Sequence, residues 1–165
     1  MANKRTRAVN KEEFEKIIST IRTGFVLPGG DRVRPNERVA VALTLQANLG
    51  LRIGDIVHLR LADIIFEGGR YHLDIVEQKT GKSRTFTVPA EVYIYLQNYT
   101  IQQGLRPTQK LFPLTVRAVQ LHLQKVCRYL GITGVSTHSF RKFFAVSIYI
   151  ENDYNVELVR QLLQH

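Results

Sequence analysis

The hydrophobic periodicity of this chain changes from helical to alternating once, over residues 63–88, and then returns to the helical spacing. Apolar residues alternate with polar ones over residues 71–77 and again over residues 84–88, where Pro89 ends the segment. With residues 63–67 as a third strand, this region predicts a small antiparallel meander. One short group of strands inside a helical chain restricts the fold to helices packed around one small sheet.

Helical patterns lie on both sides of the predicted sheet. Asn10 and Glu13 form a capping box before an apolar repeat at i, i+3, i+4 and i+7. A second helix, apolar on most sides and therefore central, begins near Asn36 and ends at Gly50. Further helices are predicted over residues 90–103, from Thr115 to Gly131, from Thr137 and from Asn155. We therefore predict a single domain over residues 1–165 that is mainly α with a small three-stranded antiparallel sheet, an α+β fold.

The charge of the chain points to a polyanionic partner. Lys and Arg number 23 against 14 acidic residues, which gives a net charge of +9, and nucleic acid is the usual partner of so basic a domain. No apolar run reaches the length of a membrane span, and the basic N-terminus has no apolar stretch after it, so we expect neither a membrane segment nor a secretory signal. The single cysteine, Cys127, excludes an internal disulfide and fits a cytoplasmic protein.

Four basic residues stand out by their local setting. His138 and Arg141 are three apart on one face of a helix start, where free backbone N–H groups favour a phosphate. Arg52 follows the glycine that ends the second helix, and Lys79 lies in the predicted hairpin turn. Taken singly, each is most simply an ordinary surface residue, but their order along the chain carries more information.

That order resembles the catalytic domain of the tyrosine recombinases, the phage integrase family. The resemblance lies in four segments and covers the chain from about Asn10 to His165; the segments are Leu49-Gly50-Leu51-Arg52-Ile53-Gly54-Asp55, Lys79-Thr80-Gly81-Lys82, His138-Ser139-Phe140-Arg141 and Leu162-Leu163-Gln164-His165. No single segment carries the match, and each falls on the kind of secondary structure that the family has there.

The resemblance implies a role for each of five residues. Arg52 and Arg141 would offer paired donors to the non-bridging oxygens of a phosphodiester under attack, where negative charge develops. Lys79 would be the general acid that protonates the departing 5′ oxygen. His138 would assist proton transfer at the nucleophile, and His165 would donate to the phosphate. This chemistry needs neither a metal ion nor a nucleotide cofactor.

The chain departs from the family pattern in two ways. Gln164 stands where family members often have glycine before the last histidine, and no tyrosine follows His165. In the family, a nucleophilic tyrosine follows this histidine by about nine residues and forms a 3′-phosphotyrosine intermediate. We therefore expect residues 1–165 to be a catalytic domain without its tyrosine segment and without the N-terminal core-binding domain. Such a chain would be inactive and monomeric alone, whereas the full-length protein would form a homo-oligomer on double-stranded DNA.

Other basic residues are candidates for contacts with the DNA backbone. They flank the predicted hairpin turn or lie on predicted helices, and they are Lys82, Arg84, Arg117, Lys125 and Lys142.

Three alternative functions remain open at this point. The chain could be a DNA-binding module that keeps the recombinase fold without cleaving DNA. A metal-dependent nuclease is disfavoured because no Asp and Glu residues cluster near the basic segments. A type IB topoisomerase shares the catalytic logic, although the compact length and the Lys79 hairpin favour a recombinase.

Overall fold

The computed structural model describes the backbone of residues 6–151 and the side chains of residues 6–148. Within these residues the chain forms α-helices and two small antiparallel sheets, in the order α1 Lys11–Thr23, β1 Phe25–Val26, β2 Arg32–Val33, α2 Glu37–Leu49, α3 Ile53–Ile56, a 3₁₀ helix Leu61–Asp63, β3 Ile64–Glu67, β4 Arg70–Val76, β5 Ser83–Val88, α4 Ala90–Gln103, α5 Val116–Leu130 and α6 His138–Glu151. The helix predicted after Asn155, and His165 itself, lie outside the described residues. None of the described helices combines the length and the apolar character that a membrane span requires.

The centre of the core is α2, as its apolar sequence predicts. The Asn36 side chain caps the helix by accepting a hydrogen bond of 3.1 Å from the Val39 backbone N–H. Residues from Val39 to Leu49 are buried on almost every side of α2, because α1 and α6 both pack against it. Removing this much apolar surface from water is the main stabilisation of the domain.

The predicted meander is confirmed, with the strand order β3-β4-β5 and antiparallel pairing throughout. In its register Leu73 pairs with Ile64 on one side and with Phe86 on the other. All three side chains are buried, which is why alternation was a sufficient signal for the strands. The sheet therefore presents one face to the core.

One element was not predicted from the sequence. Phe25 and Val26 pair with Val33 and Arg32 in a second small sheet between α1 and α2, and strands of two residues are too short to show alternation. At the other end of the domain, α6 begins directly after Thr137, as predicted, and the Ser136 hydroxyl accepts from the His138 N–H at 3.3 Å.

Gly50 forms a close junction between α2 and α6. It ends α2 in the left-handed conformation, with φ of 71°, which glycine adopts without steric cost. A Cβ atom placed on Gly50 would lie 2.3 Å from a ring carbon of Phe144 on α6. A side chain at this position is therefore excluded both by the backbone conformation and by the packing of the neighbouring helix.

We expect Gly50→Ala to destabilise the protein more than the matched change Gly104→Ala. Gly104 also ends a helix with positive φ, at 65°, but a Cβ atom there would meet nothing within 4 Å. Gly104→Ala is expected to lower the free energy of unfolding by only the conformational penalty of about 1 kcal/mol. In Gly50→Ala, overpacking against Phe144 lowers it by about 1–3 kcal/mol more. Urea unfolding of both variants measures the difference, and equal losses of stability would contradict this account of the junction.

Candidate active site

The first basic residue, Arg52, is placed by the end of α2. Gly50 reverses the chain and Leu51 is fully buried, so Arg52 emerges at the start of α3. Its side chain is 21% exposed and pairs through Nη1 with the carboxylate of Glu77. Arg52 is thus held by a partner while part of its side chain remains accessible to solvent.

Lys79 lies in an exposed turn over residues 77–82 that is tied to the body of the protein. The backbone N–H of Glu77 donates to the Lys82 carbonyl at 2.9 Å, and that of Gly81 donates to the Glu77 carbonyl at 2.9 Å. The Gln78 N–H donates to the carboxylate of Asp55, again at 2.9 Å. Because Asp55 belongs to α3, the turn carrying Lys79 is attached to the helix that directly follows Arg52.

His138 and Arg141 stand one turn apart at the start of α6, as their spacing predicts. Arg141 Nε donates to the Gly50 carbonyl at 2.8 Å, so this side chain is also held at the end of α2. Its Nη2 atom is buried and has no hydrogen-bond partner among the described residues. A buried donor of this kind needs an acceptor, and a bound anion would supply one.

Contacts link the segments that carry these four residues, which we call the basic cluster: Arg52, Lys79, His138 and Arg141. Arg141 donates to the Gly50 carbonyl, two positions before Arg52, and Arg52 pairs with Glu77, where the Lys79 turn begins. Partial burial lowers the pKa of His138, and the positive charges of Lys79, Arg141, Lys142 and Arg52 lower it further.

Arg141 shows the same excess of positive charge. Burial, followed by repulsion from Arg52 and Arg84, lowers the pKa of Arg141 to about 10, although Glu77 and Asp55 act in the opposite direction. The guanidinium remains charged at neutral pH, but that charge is less favourable than in water. An anion at the basic cluster would remove part of this penalty.

Two acidic residues of the site were not singled out from the sequence, Asp55 and Glu77. Both are buried, with exposed fractions of 5% and 4%. Burial alone would raise the pKa of Glu77, but hydrogen bonds from Arg84 and Thr80, with the charges of Arg84 and Arg52, hold that pKa below its ordinary value. A signal for Glu77 exists in the sequence, because it directly follows β4 and continues the alternation of Tyr71, Leu73 and Ile75, which places it on the inward side.

The expectation for Arg84 is corrected by the structure. We predicted a contact with the DNA backbone, but the Arg84 side chain is 1% exposed and its Nη1 atom lies 2.9 Å from Glu77 Oε2. Arg84 shares the inward face of β5 with Phe86 and Val88, and its guanidinium lies 4.4 Å from the centre of the Phe86 ring. A side chain enclosed in this way does not reach a ligand on the surface.

The other predicted DNA contacts lie on the surface. Lys82 is exposed in the hairpin turn, and Arg117 and Lys125 are exposed on α5. Lys142 is exposed beside Arg141, and its amino group donates to the Thr6 carbonyl. His165 lies outside the described residues, so its predicted position in the site stays a prediction. Within residues 6–148, no three His, Cys, Asp or Glu side chains are grouped as ligands for a metal ion.

Comparison with known proteins gives consistent results. The chain is 28% identical over 170 residues to tyrosine recombinase XerA of Pyrococcus furiosus, covering 96% of this chain and 53% of that protein. It is 25% identical over 135 residues to a tyrosine recombinase of Pseudothermotoga lettingae, covering 79% of this chain and 46% of the relative. The chain thus spans about half the length of these curated relatives.

Solved structures show the same fold. The pre-cleavage complex of the XerH site-specific recombinase with its difH substrate superposes with a TM-score of 0.69 and 22% identity, over 98% of this chain and 48% of that one. A lambda integrase dimer bound to a COC′ core site gives a TM-score of 0.72 at 18% identity, over 100% of this chain and 59% of that one. Residues 7–165 also match the description of the phage integrase family. This chain, a mainly helical domain with a basic cluster at the junction of α2, α6 and the hairpin, belongs to the phage integrase family.

Proposed function

We propose that the basic cluster is a phosphodiester strand-transfer site for site-specific recombination of double-stranded DNA, and that His165 completes it. The observation that supports the proposal is that contacts link the segments carrying two guanidiniums, a lysine and a histidine, where the buried Arg141 Nη2 has no partner among residues 6–148. These are the groups that a phosphate in a transition state requires: donors for its non-bridging oxygens and groups that transfer protons.

Each residue takes a separate part of the reaction. Arg52 and Arg141 bind the non-bridging oxygens and stabilise the charge that develops on them. A tyrosine oxygen attacks phosphorus while the bond to the 5′ oxygen breaks, and Lys79 gives its proton to that oxygen. His138 assists proton transfer at the nucleophile, and His165 donates to the phosphate. Rejoining is the reverse reaction, in which a 5′ hydroxyl attacks the 3′-phosphotyrosine.

The nucleophile is assigned to none of the tyrosines whose side chains the structure describes. Tyr99 donates to the Leu111 carbonyl at 2.8 Å, and its burial raises its pKa to about 12. Tyr71 stacks on Tyr93 with ring centres 4.2 Å apart, Tyr95 accepts from Arg22, and Tyr129 packs against Phe25. We place the nucleophile instead on a tyrosine about nine residues after His165.

The partner in this proposal is duplex DNA in the cytoplasm, contacted by exposed cations around the basic cluster. Lys82, Arg117, Lys125 and Lys142 are suited to phosphate contacts, which position a protein on DNA without reading its sequence. In a longer protein with the tyrosine segment and a core-binding domain, we infer a homo-oligomer on DNA. The 165-residue chain is expected to be a monomer by sedimentation.

A second candidate function is a DNA-binding module that holds a phosphate without cleaving the strand. It needs only the phosphate-binding groups, and the tyrosine side chains described within residues 6–148 are engaged in hydrogen bonds or ring packing. The two candidates share the phosphate site and differ in whether a covalent intermediate forms, so they are separated by the test for an adduct described below.

We expect the 165-residue chain to bind duplex DNA weakly and with little sequence preference. Because phosphate contacts dominate, affinity falls steeply with salt, with a log–log slope of about −0.9 for each phosphate neutralised. Fluorescence anisotropy at several salt concentrations measures the slope. A flat salt response, or no binding at low salt, would contradict a DNA partner.

Binding of DNA is expected to raise the pKa of His138. In the free protein, partial burial and the neighbouring cations keep that pKa below the ordinary value of 6.5, whereas a phosphate brings the negative charge that stabilises the imidazolium. Because the bound state then holds its proton more tightly, affinity strengthens as the pH falls through the region of about 6.5 and below. NMR titration of the His138 ring with and without DNA measures both pKa values.

The matched control for this titration is His138→Gln, which removes the ionisable group while keeping a polar side chain. The pH dependence of DNA affinity is expected to become weaker in this variant. An unchanged His138 pKa in the complex would place the phosphate elsewhere on the protein.

The 165-residue chain is expected to form no covalent adduct with a suicide DNA substrate. A protein in which the same residues are followed by the proposed tyrosine segment, supplied with its site and its core-binding domain, is expected to form one. Arg141→Ala in that protein removes a donor to the transition state and should slow adduct formation at least 10²- to 10³-fold, or about 2.7–4 kcal/mol. Adducts are measured by denaturing gel electrophoresis.

Arg70→Ala is the control for general loss of positive charge. Arg70 is exposed at the opposite end of β4 from Glu77, about 20 Å away at the rise of a β-strand, and its loss is expected to leave the rate of adduct formation unchanged. A magnesium titration against chelator completes the design. Cleavage that needs the metal and leaves no protein on the DNA would support a nuclease instead.

A further inference from the structure

We propose that Glu77 is a positioning residue whose buried carboxylate, anchored by Arg84, sets the orientation of Arg52 and of the Lys79 turn together. The inference rests on the proposed function for its consequence in catalysis, because Arg52 and Lys79 are the groups that would act on the phosphate. Its structural part concerns only this carboxylate and its partners and is tested separately.

Both oxygens of Glu77 are engaged by different parts of the chain. Oε2 accepts from Arg52 Nη1 and, at 2.9 Å, from Arg84 Nη1. Oε1 accepts from the Thr80 hydroxyl at 2.9 Å. One carboxylate therefore joins the start of α3, the strand β5 and the hairpin turn.

The two arginine partners of Glu77 differ in exposure, and this difference indicates what each arginine does. Arg84 and Glu77 are both enclosed, with side chains 1% and 4% exposed, whereas the Arg52 side chain is 21% exposed. A buried charge persists only when it is paired and hydrogen-bonded, so Arg84 and Glu77 form the fixed unit. Arg52 is the member of this network that can also contact a ligand.

The same carboxylate controls the turn that carries Lys79. Glu77 precedes Lys79 by two positions, and Thr80, which donates to Glu77, follows Lys79 directly. The Thr80 hydroxyl also accepts from the Lys82 N–H at 3.2 Å. Lys79 is thus flanked by residues fixed to the carboxylate, so any movement of Glu77 moves the lysine and Arg52 at once.

The charge of Glu77 matters as well as its geometry. Arg52, Arg84 and Arg141 lie close enough to influence one another, and Glu77 supplies a negative charge among them. Without that charge the two arginines bound to Glu77 would repel each other at short range. Arg52 would then turn outwards to water, away from the position next to Arg141 in which both can hold one phosphate.

The first experiment uses the 165-residue chain and compares Glu77→Gln with the matched control Asp74→Asn. Asp74 lies on β4, three residues before Glu77, and is 60% exposed. Amide hydrogen exchange of Gly81 and Lys82 is measured by NMR. We expect exchange on the order of tenfold faster in Glu77→Gln, because the turn loses its anchor, and unchanged exchange in Asp74→Asn. Equal exchange in the two variants would overturn the inference.

The second experiment measures adduct formation in the protein with the tyrosine segment. At saturating DNA, Glu77→Gln is expected to lower the rate on the order of 10²-fold, as misplaced reacting groups do, while DNA affinity changes far less. Asp74→Asn should keep the wild-type rate. Absence of an adduct with the wild-type protein contradicts the proposed function, and the exchange experiment then decides the inference alone.

A double variant separates positioning from stability. Glu77→Met with Arg84→Met replaces the buried pair by apolar side chains of similar length, a change that buried ion pairs often tolerate without loss of stability. We expect its unfolding temperature to be close to that of the wild type and its adduct formation to remain slow, because Arg52 has lost its partner. A double variant that is stable and cleaves at the wild-type rate would show that Glu77 serves stability only.

Discussion

The packing of α6 against the end of α2 at Gly50 is the contact on which the geometry of the site depends. The Gly50 carbonyl accepts from Arg141 Nε at 2.8 Å, and the absence of a side chain lets the Phe144 ring approach the backbone. Arg52 lies two residues after Gly50, where the chain has changed direction. Both guanidiniums are therefore positioned from the same turn, and a small displacement of α6 would change the distance between them.

The basic cluster contains more positive than negative charge, and the stability of the hydrophobic core offsets the free-energy cost of the resulting repulsion. Arg141 keeps a pKa of about 10 because of burial and its neighbours Arg52 and Arg84, and its Nη2 has no partner among the described residues. Such a site is unfavourable when empty and favourable around an anion. Donors arranged in advance need little reorganisation when negative charge develops between them, so the cost in stability serves the proposed reaction.

Local patterns were sufficient for most of the fold, whereas the basic residues of the proposed site were selected through the resemblance to the phage integrase family. The capping box at Asn10 and Glu13 is present as predicted, the bounds of α4 agree with the apolar repeat, and the three strands follow from alternation. His138 and Arg141 could be placed side by side because residues three positions apart on a helix share a face. The β1–β2 hairpin could not be predicted, because its strands are shorter than one period of the pattern.

The sequence by itself determined which segments are helices or strands, because this depends on spacing within a few turns, and the resemblance to the phage integrase family indicated which basic side chains to consider for a phosphate. Tertiary structure decided which of these charges face solvent. Arg84 and Lys82 are neighbours in one hairpin, yet Arg84 is enclosed with Glu77 while Lys82 is exposed. The pairing of a buried arginine with a buried glutamate depends on the face of the sheet that the helices cover, and this is fixed only when distant segments pack together.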